Sequence, residues 1–287
     1  VGSEIKFEIT RNALQKNDLA VLCIIAANNW KRPIYFTNNS PYQINLGFEK
    51  FLRMDGLSYR LVPCEQKAIA GDNPFVNTDW AYKKMMDSKT FASGNADLKG
   101  VYFDEENRRH LLSIRDAYTD LAFDLINKNR KDEAKSILQR CDKMMLEENF
   151  SYGAVSRGNQ QNRNSMRFLQ ACYLAGDKDL ANKVLKSVKK DLDQQQEYYA
   201  SLGSNDMSKA LYEKVMNEFF SKYTFAKTQQ ERYAAEQVLE NNLSGRQLQM
   251  TEEMKQAYSM LLQLQDIEKN FSEVKAASPE KKDSVIK

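Results

Sequence analysis

The sequence predicts a mostly α-helical protein with a small α/β part, in which a β-α-β-α-β module precedes a domain of α-α helical repeats. Three observations predict this class. The 287 residues include only 11 Gly and 5 Pro, about half of average usage, which leaves too few turn residues for an all-β chain. Four prolines fall before residue 75, and none occurs from Phe75 to Ser278. Apolar residues recur at helical spacing through much of that proline-free stretch.

These patterns divide the chain into five predicted segments. They are a small α/β module over residues 1–70, a connector with one short helix over 71–103, helical repeats over 104–245, a capping helix over 246–275 and a flexible tail over 276–287.

Three strands are predicted in the module, separated by two helices. Residues 4–9 and 57–62 alternate polar and apolar side chains, and the aromatic and β-branched run 32–37 supplies the middle strand. Ser40 and Pro41 predict the N-cap and first residue of a second helix that runs to about residue 54. Strands that alternate with helices predict a parallel sheet with right-handed crossovers.

The first helix of the module is predicted to be capped by Asn17 or Asp18 and to be largely buried. Its run from Leu19 to Ala27 holds nine apolar residues, so the helix is apolar nearly all round and must be covered on most sides. The run is much shorter than the about 20 residues that span a bilayer, so no membrane span is predicted. The connection before it, Thr10 to Asp18, contains no glycine. A dinucleotide or phosphate-binding turn is therefore not expected.

Two antiparallel helix pairs are predicted after the connector. In the first, inward-facing residues recur at helical spacing, including Leu111, Arg115 and Tyr118. Ala134 and Ala181 occupy matching positions in the two pairs, 47 residues apart (181 minus 134). A tetratricopeptide unit has about 34 residues, and the additional residues of this longer period fit in the loop 148–160. Small residues at these positions allow close helix packing, so tetratricopeptide-like repeats are predicted.

Further helices complete the predicted second half. The pattern predicts helices over 191–202, 206–228 and 229–242, with a poor match to the repeat. A final amphipathic helix over 251–271 is expected to cap the open end of the stack.

Composition excludes several kinds of chemistry. The chain has 42 Lys and Arg against 39 Asp and Glu, and a net charge of +3 is too small for a nucleic-acid interface. His110 is the only histidine, which excludes a multi-histidine zinc site. Asp104, His110 and Ser113 lie along one predicted helix, so a helix N-cap and a solvated histidine are expected instead of a catalytic triad. No catalytic residue, cofactor or metal is expected in this region.

The four cysteines form no Cys-x-x-Cys motif. They are Cys23, Cys64, Cys141 and Cys172, and three of them fall in apolar helical segments. Buried thiols are predicted in preference to disulfides.

Six residues are candidates for an interaction surface. The least generic stretch, residues 30–35, ends the first helix and begins a strand, so its side chains serve either packing or binding. Three tyrosines fall in a loop or on a polar helix, where exposed rings would contact a peptide or glycan, with packing between repeats as the alternative. The candidates are Trp30, Arg32, Tyr35, Tyr152, Tyr198 and Tyr199.

Four segments of the chain resemble the C-terminal region of a bacterial family of multi-pass membrane proteins. They are Asn28–Phe36, Leu46–Gly47, Gly56–Pro63 and Val101–Glu105. The N-terminal membrane domain of that family is similar to the eukaryotic transmembrane protein O-mannosyltransferases, which also end in tetratricopeptide-like repeats. The resemblance implies a membrane glycosyltransferase with a lipid-linked donor, whose catalytic acidic residue lies in the membrane part, outside this sequence.

The function implied by this resemblance is that of a non-catalytic accessory region. It would lie on the extracytoplasmic, periplasmic side of a bacterial membrane, tethered by an N-terminal multi-pass domain absent from this sequence. Its expected partners are that membrane domain and a protein or glycan acceptor. The alternative is a helical-repeat adaptor that scaffolds a cell-envelope complex without any role in glycosylation. A soluble enzyme built on the β-α-β-α-β unit would need a phosphate-binding turn, which the sequence lacks.

Overall fold

The computed structural model describes residues 6, 8–9, 13–37, 46–65, 75–203, 209–242 and 246–273. Helices dominate, and one small four-stranded sheet lies in the N-terminal part. The predicted fold class, mostly α with a small α/β part, is therefore confirmed. The chain divides into two compact units, which are Val1–Phe150 with Leu174–Asp177, and Ser151–Tyr173 with Lys178–Lys287.

The first unit contains the sheet and four of the described helices. In chain order its elements are α1 (Lys16–Asn28), β1 (Tyr35–Phe36), β2 (Leu52–Asp55), β3 (Ser58–Leu61), β4 (Phe75–Val76), α2 (Thr78–Met86), α3 (Glu105–Asn127) and α4 (Lys131–Met144).

The sheet has the order β1-β3-β2-β4. Strand β3 is antiparallel to both β1 and β2, and only β2 and β4 run parallel. The predicted parallel sheet is therefore wrong. The reason is a tight hairpin in which Asp55 pairs with Ser58 and Gly56 takes a left-handed φ of +71°, which a glycine adopts without steric cost.

Two predicted elements of the module differ from the structure. The structure has strand β2 where the helix was expected to reach residue 54. Leu52 and Met54 are both buried and lie two positions apart, which is the spacing of residues on one side of a strand. The predicted start of that helix, at Ser40 and Pro41, lies outside the described residues. So do residues 4, 5 and 7 of the predicted first strand, while residues 6, 8 and 9 are not in a strand.

An apolar cluster between the sheet and α1 forms the core of this module. Its buried members are Leu46, Phe48, Phe51, Leu52 and Leu61, and Val21, Leu22 and Ile25 of α1 pack against them. The opposite side of α1 is exposed to solvent, with Leu19 50% and Ile24 61% exposed. The prediction that α1 is covered on most sides is therefore wrong, because the small sheet covers only one side of the helix.

Helices α3 and α4 form the first predicted antiparallel pair. Ala134 and Leu138 are fully buried at the predicted small and large positions. The N-cap is also as predicted, because the Asp104 carboxylate accepts a hydrogen bond of 2.9 Å from the backbone N–H of Asn107.

The regular secondary structure among the described residues of the second unit is helical. Its helices are α5 (Gln160–Leu174, whose last residue belongs to the first unit), α6 (Lys178–Gly203), α7 (Lys209–Phe225), α8 (Gln229–Asn242) and α9 (Arg246–Glu273).

Packing within this unit pairs α9 with α6 and α7 with α8. Ala181 and Val184 of α6 are fully buried. Helix α6 is continuous through Asp191, where the sequence predicted a new helix. The predicted flexible tail lies outside the described residues, and the tetratricopeptide character of the helix pairs stays a prediction. Among the residues described, no helix combines the length and the hydropathy needed to cross a membrane.

Candidate functional site

The turn after α1 presents Trp30 to solvent in a strained backbone conformation. Asn29 and Trp30 both have left-handed φ angles, of 44° and 58°, and a non-glycine residue pays about 1–2 kcal/mol for this region. Two hydrogen bonds hold the turn: Asn28 Nδ2 donates to the Arg32 carbonyl at 2.6 Å, and the Lys31 N–H donates to the Asn28 carbonyl at 2.9 Å. Trp30 is 42% exposed.

Strand β1 continues this surface. Tyr35 is exposed and lies opposite Arg60 on β3, whose guanidinium carbon is 6.0 Å from the centre of the tyrosine ring. The next residue, Phe36, faces the apolar cluster, with its ring centre 6.1 Å from that of Phe48. Arg32 closes the turn through its carbonyl oxygen, and its side chain is exposed.

The outer side of α1 forms an apolar strip beside this turn. We define the α1 face as Leu19, Ala20, Cys23, Ile24 and Ala27, which recur at helical spacing and are all exposed. The only acidic residue of α1, Asp18, is buried on the other side, where its carboxylate accepts a hydrogen bond of 2.9 Å from the Gln15 N–H. This face cannot be identified from the sequence, because an apolar run does not show which of its sides is covered.

The three candidate tyrosines of the second unit have different environments. Tyr152 is 1% exposed, and its ring centre lies 5.4 Å from that of Phe168, so its ring packs inside the second unit. Tyr198 is 58% exposed and makes an edge contact with Tyr199, which packs against a cluster that includes Phe219. The structure thus brings Tyr198 and Tyr199 together, and it groups Trp30, Arg32 and Tyr35 in the first unit.

Asp104, His110 and Ser113 each make local contacts at the start of α3. His110 is exposed, with Nε2 at 4.0 Å from a Glu106 carboxylate oxygen. Ser113 Oγ donates to the Arg109 carbonyl at 3.1 Å. The hydrogen bonds from Asn107 lower the pKa of Asp104 and commit that carboxylate to capping. In the described part of the chain, no three His, Cys, Asp or Glu residues are close enough to hold a metal ion.

A partly buried polar cluster in the first unit is not evident from the sequence. Thr78 Oγ1 donates to Asp124 Oδ2 at 2.5 Å, and the Lys128 ammonium donates to the same oxygen at 3.0 Å and also contacts Thr78 Oγ1. The cluster ties the start of α2 to the end of α3. The Thr78 hydroxyl donates its proton to a carboxylate of the neighbouring helix, so the cluster anchors α2 to α3. Only the i, i+4 spacing of Asp124 and Lys128 was visible in the sequence.

A second missed cluster joins α5 to α6. The side-chain amides of Asn162 and Gln195 each donate to Asp191 Oδ2 at 2.7 Å, and Asn159 exchanges hydrogen bonds of 3.0 and 2.9 Å with Gln195. Both asparagines and Gln195 are buried. Buried polar groups of this kind fix one packing arrangement, because any other would leave them unsatisfied.

All four cysteines are thiols, but only two are buried. Cys141 and Cys172 are buried as predicted, whereas Cys23 and Cys64 are exposed. Burial raises the pKa of the Cys141 thiol to about 12, which keeps it protonated at neutral pH. Cys23 is exposed because it lies on the α1 face, the uncovered side of its helix.

Comparison with known proteins identifies one family model that matches the chain. Residues 1–80 match the model described as TMEM260-associated domain 2. No curated protein matches the chain, and no solved structure does. The matched segment contains α1, the whole sheet and the start of α2, together with Trp30, Arg32 and Tyr35. The N-terminal part of the chain is therefore similar to TMEM260-associated domain 2, and the α1 face and the Trp30 turn lie within that part.

Proposed function

We propose that this chain is a non-catalytic accessory region of a larger, membrane-embedded, glycosyltransferase-like protein. The observation that carries the proposal is the match of residues 1–80 to a TMEM260-associated domain. The resemblance of four segments to a family with an O-mannosyltransferase-like membrane domain supports the glycosyltransferase part. In this proposal the chain lies on the periplasmic side of a bacterial membrane, tethered by an N-terminal multi-pass domain.

The accessory role that we propose is to position an acceptor protein or other partners. Two features of the structure support it. The matched segment exposes the α1 face and the Trp30 turn, which form an apolar surface of the kind that marks an interaction site. The tyrosine pair Tyr198 and Tyr199 offers an aromatic contact on the helical second unit, and such contacts suit a peptide or glycan acceptor.

Sugar transfer measured with three proteins tests this proposal. The proteins are the full-length parent, the parent without this chain, and this chain alone, each incubated with a lipid-linked sugar donor and acceptor protein. We expect transfer by the parent, strongly reduced transfer without this chain, and none by the chain alone. Transfer by the chain alone would overturn the non-catalytic role, and unchanged transfer by the shortened parent would overturn the positioning role.

A second candidate function is that of an adaptor that scaffolds a cell-envelope complex without glycosylation. The exposed ring of Tyr198 favours it, because an aromatic side chain beside a second aromatic is a typical protein contact. Deletion of the encoding gene distinguishes the two functions. Unchanged periplasmic glycoproteins, together with a complex that is lost in Tyr198→Ala but retained in a Tyr233→Ala control, would support the adaptor. Tyr233 is a suitable control because it is exposed at another position of the same unit.

A further inference from the structure

The α1 face is the exposed side of a helix that is apolar on both sides. The inner side of α1 packs against the apolar cluster through Val21, Leu22 and Ile25. The α1 face, with Leu19 and Ile24, is exposed. A helix that is apolar on both sides is normally covered on both. Contiguous apolar side chains on a surface mark an interaction site.

The exposed charges on α1 and on the turn after it have one sign. Lys16 precedes it, and Lys31 and Arg32 follow it, all three exposed. The acidic residue of the helix, Asp18, is buried and directed at the backbone N–H of Gln15. On α1 and the turn after it, the outward charges are therefore basic, and they complement an anionic surface.

The size of the face distinguishes a bilayer from a protein partner. Leu19, Ile24 and Trp30, all partly exposed, offer on the order of a few hundred Å² of apolar surface. A stable protein–protein interface needs about 800 Å² on each partner. A bilayer surface has no such minimum, because each inserted apolar side chain and each basic residue near anionic headgroups adds its own contribution. Tryptophan is also a typical side chain at the headgroup level.

We infer that the α1 face docks in the plane of a bilayer surface that carries anionic headgroups. Leu19 and Ile24 enter the boundary of the acyl chains, Trp30 lies at the headgroup level, and Lys16, Lys31 and Arg32 pair with lipid phosphates. The left-handed turn at Asn29 and Trp30 follows α1 directly along the chain. The inference rests on the proposed function, in which the chain acts beside a membrane, but its test does not use sugar transfer.

Thiol protection and tryptophan fluorescence test the inference on the whole chain. In Cys64→Ser, the exposed Cys23 is the thiol expected to react rapidly with a water-soluble reagent. Vesicles of phosphatidylglycerol and phosphatidylcholine in equal amounts should slow its reaction several-fold, and vesicles of phosphatidylcholine alone should have much less effect. In Trp80→Phe, Trp30 becomes the sole tryptophan, and its emission should shift to the blue with the anionic vesicles.

Surface variants give the matched controls. We expect Lys31→Gln and Arg32→Gln each to weaken vesicle binding about fivefold, and Leu19→Ser with Ile24→Ser to weaken it further. Leu98→Ser changes an exposed leucine of the same unit that is not on α1, and binding should stay unchanged. All these side chains are exposed, and circular dichroism confirms that each variant is folded.

Three results would overturn the inference. They are the absence of binding to anionic vesicles, equal weakening by Leu98→Ser, and protection of Cys23 without lipid in a protein of dimer mass, which would indicate a second copy of the chain as the partner. If the chain does not bind vesicles but sugar transfer still depends on it, the docking inference is wrong and the proposed function stands. If the chain binds vesicles but the parent transfers no sugar, the proposed function is wrong and the docking inference stands.

Discussion

Arg115 shows how a charged residue becomes part of a helical core. It was predicted to face inward from its spacing with Leu111 and Tyr118, and it is 1% exposed. Its guanidinium carbon lies 4.2 Å from the centre of the Phe150 ring, and its Nη2 donates to the Phe150 carbonyl at 2.9 Å. A planar guanidinium can stack on a ring and donate a hydrogen bond at the same time.

Replacing Arg115 by lysine should therefore destabilise the protein. We expect Arg115→Lys to lower the free energy of unfolding by about 2–3 kcal/mol, because lysine cannot reproduce both contacts and its charge stays buried. Urea unfolding measures this change. Arg109→Lys is the control, since Arg109 is exposed and pairs with Glu105 on the same helix, and it should leave the unfolding midpoint unchanged. Equal midpoints for the two variants would contradict this account of Arg115.

Gly153 marks a close backbone contact in the second unit. A Cβ atom at this position would clash with the Ser187 carbonyl oxygen, and the Gly153 N–H donates to Ser187 Oγ at 2.9 Å. We expect Gly153→Ala to lower the free energy of unfolding by about 1–3 kcal/mol, because the loop must move away from α6. Val155→Ala, at an exposed position in the same loop, should change it by less than about 0.5 kcal/mol. A neutral Gly153→Ala would contradict the close contact.

At the scale of an element, α8 shows a helix end defined by local chemistry. Thr228 Oγ1 accepts a hydrogen bond of 3.2 Å from the Glu231 N–H. The Glu231 carboxylate in turn accepts hydrogen bonds from the N–H groups of Lys227 and Thr228 at 2.7 and 3.0 Å. This reciprocal pair is a capping box. It explains why the predicted start of this helix, residue 229, is also the observed one.

The capping box predicts a pH-dependent contribution to stability. The hydrogen bonds from Lys227 and Thr228 lower the pKa of Glu231, so the folded state favours the ionised carboxylate. Its contribution is present above the unfolded pKa of about 4.3 and is lost as pH falls through the folded pKa. Glu231→Gln should therefore be less stable than the wild type at pH 7, and the difference should shrink towards pH 3 in urea unfolding. A difference that is the same at both pH values would contradict this assignment.

The same capping box can be tested from its other side. Thr228→Ala removes the acceptor for the Glu231 N–H and should cost about 1 kcal/mol at either pH. The loss should be measurable in the same urea titrations. If the stability lost in Thr228→Ala depends on pH as that lost in Glu231→Gln does, the hydrogen bonds of Thr228 Oγ1 and of the Glu231 carboxylate do not contribute separately.

At the scale of the whole molecule, the burial of the cysteines predicts a simple reactivity pattern. Cys23 and Cys64 are exposed, while Cys141 and Cys172 are buried, and burial raises the pKa of Cys141 to about 12. The thiolate is the reactive form. We therefore expect two thiols to react rapidly with a water-soluble reagent at pH 8 in the folded protein, and four after denaturation. Cys23→Ser should reduce the number of rapidly reacting thiols to one. Rapid reaction of Cys141 would contradict its burial.

The sequence by itself determined the helical class and the positions of most helices. Helical spacing of apolar residues is a local property, so it placed α3, α4 and α8 and the buried Ala134, Ala181 and Arg115. It also singled out Trp30, Arg32 and Tyr35, because the turn that follows α1 has a distinctive composition. Local caps such as Asp104 could be predicted because their hydrogen bonds join residues three positions apart.

Only the tertiary structure decided which strands pair and which helix sides are covered. Strand β4 pairs with β2 across more than twenty residues, with Arg53 opposite Phe75, and nothing in either short segment specifies the other. The burial of Tyr152 and the exposure of Ile24 likewise depend on what packs against them. The physical reason is that spacing along the chain defines the sides of a helix or strand, whereas contacts between distant residues decide which sides meet water.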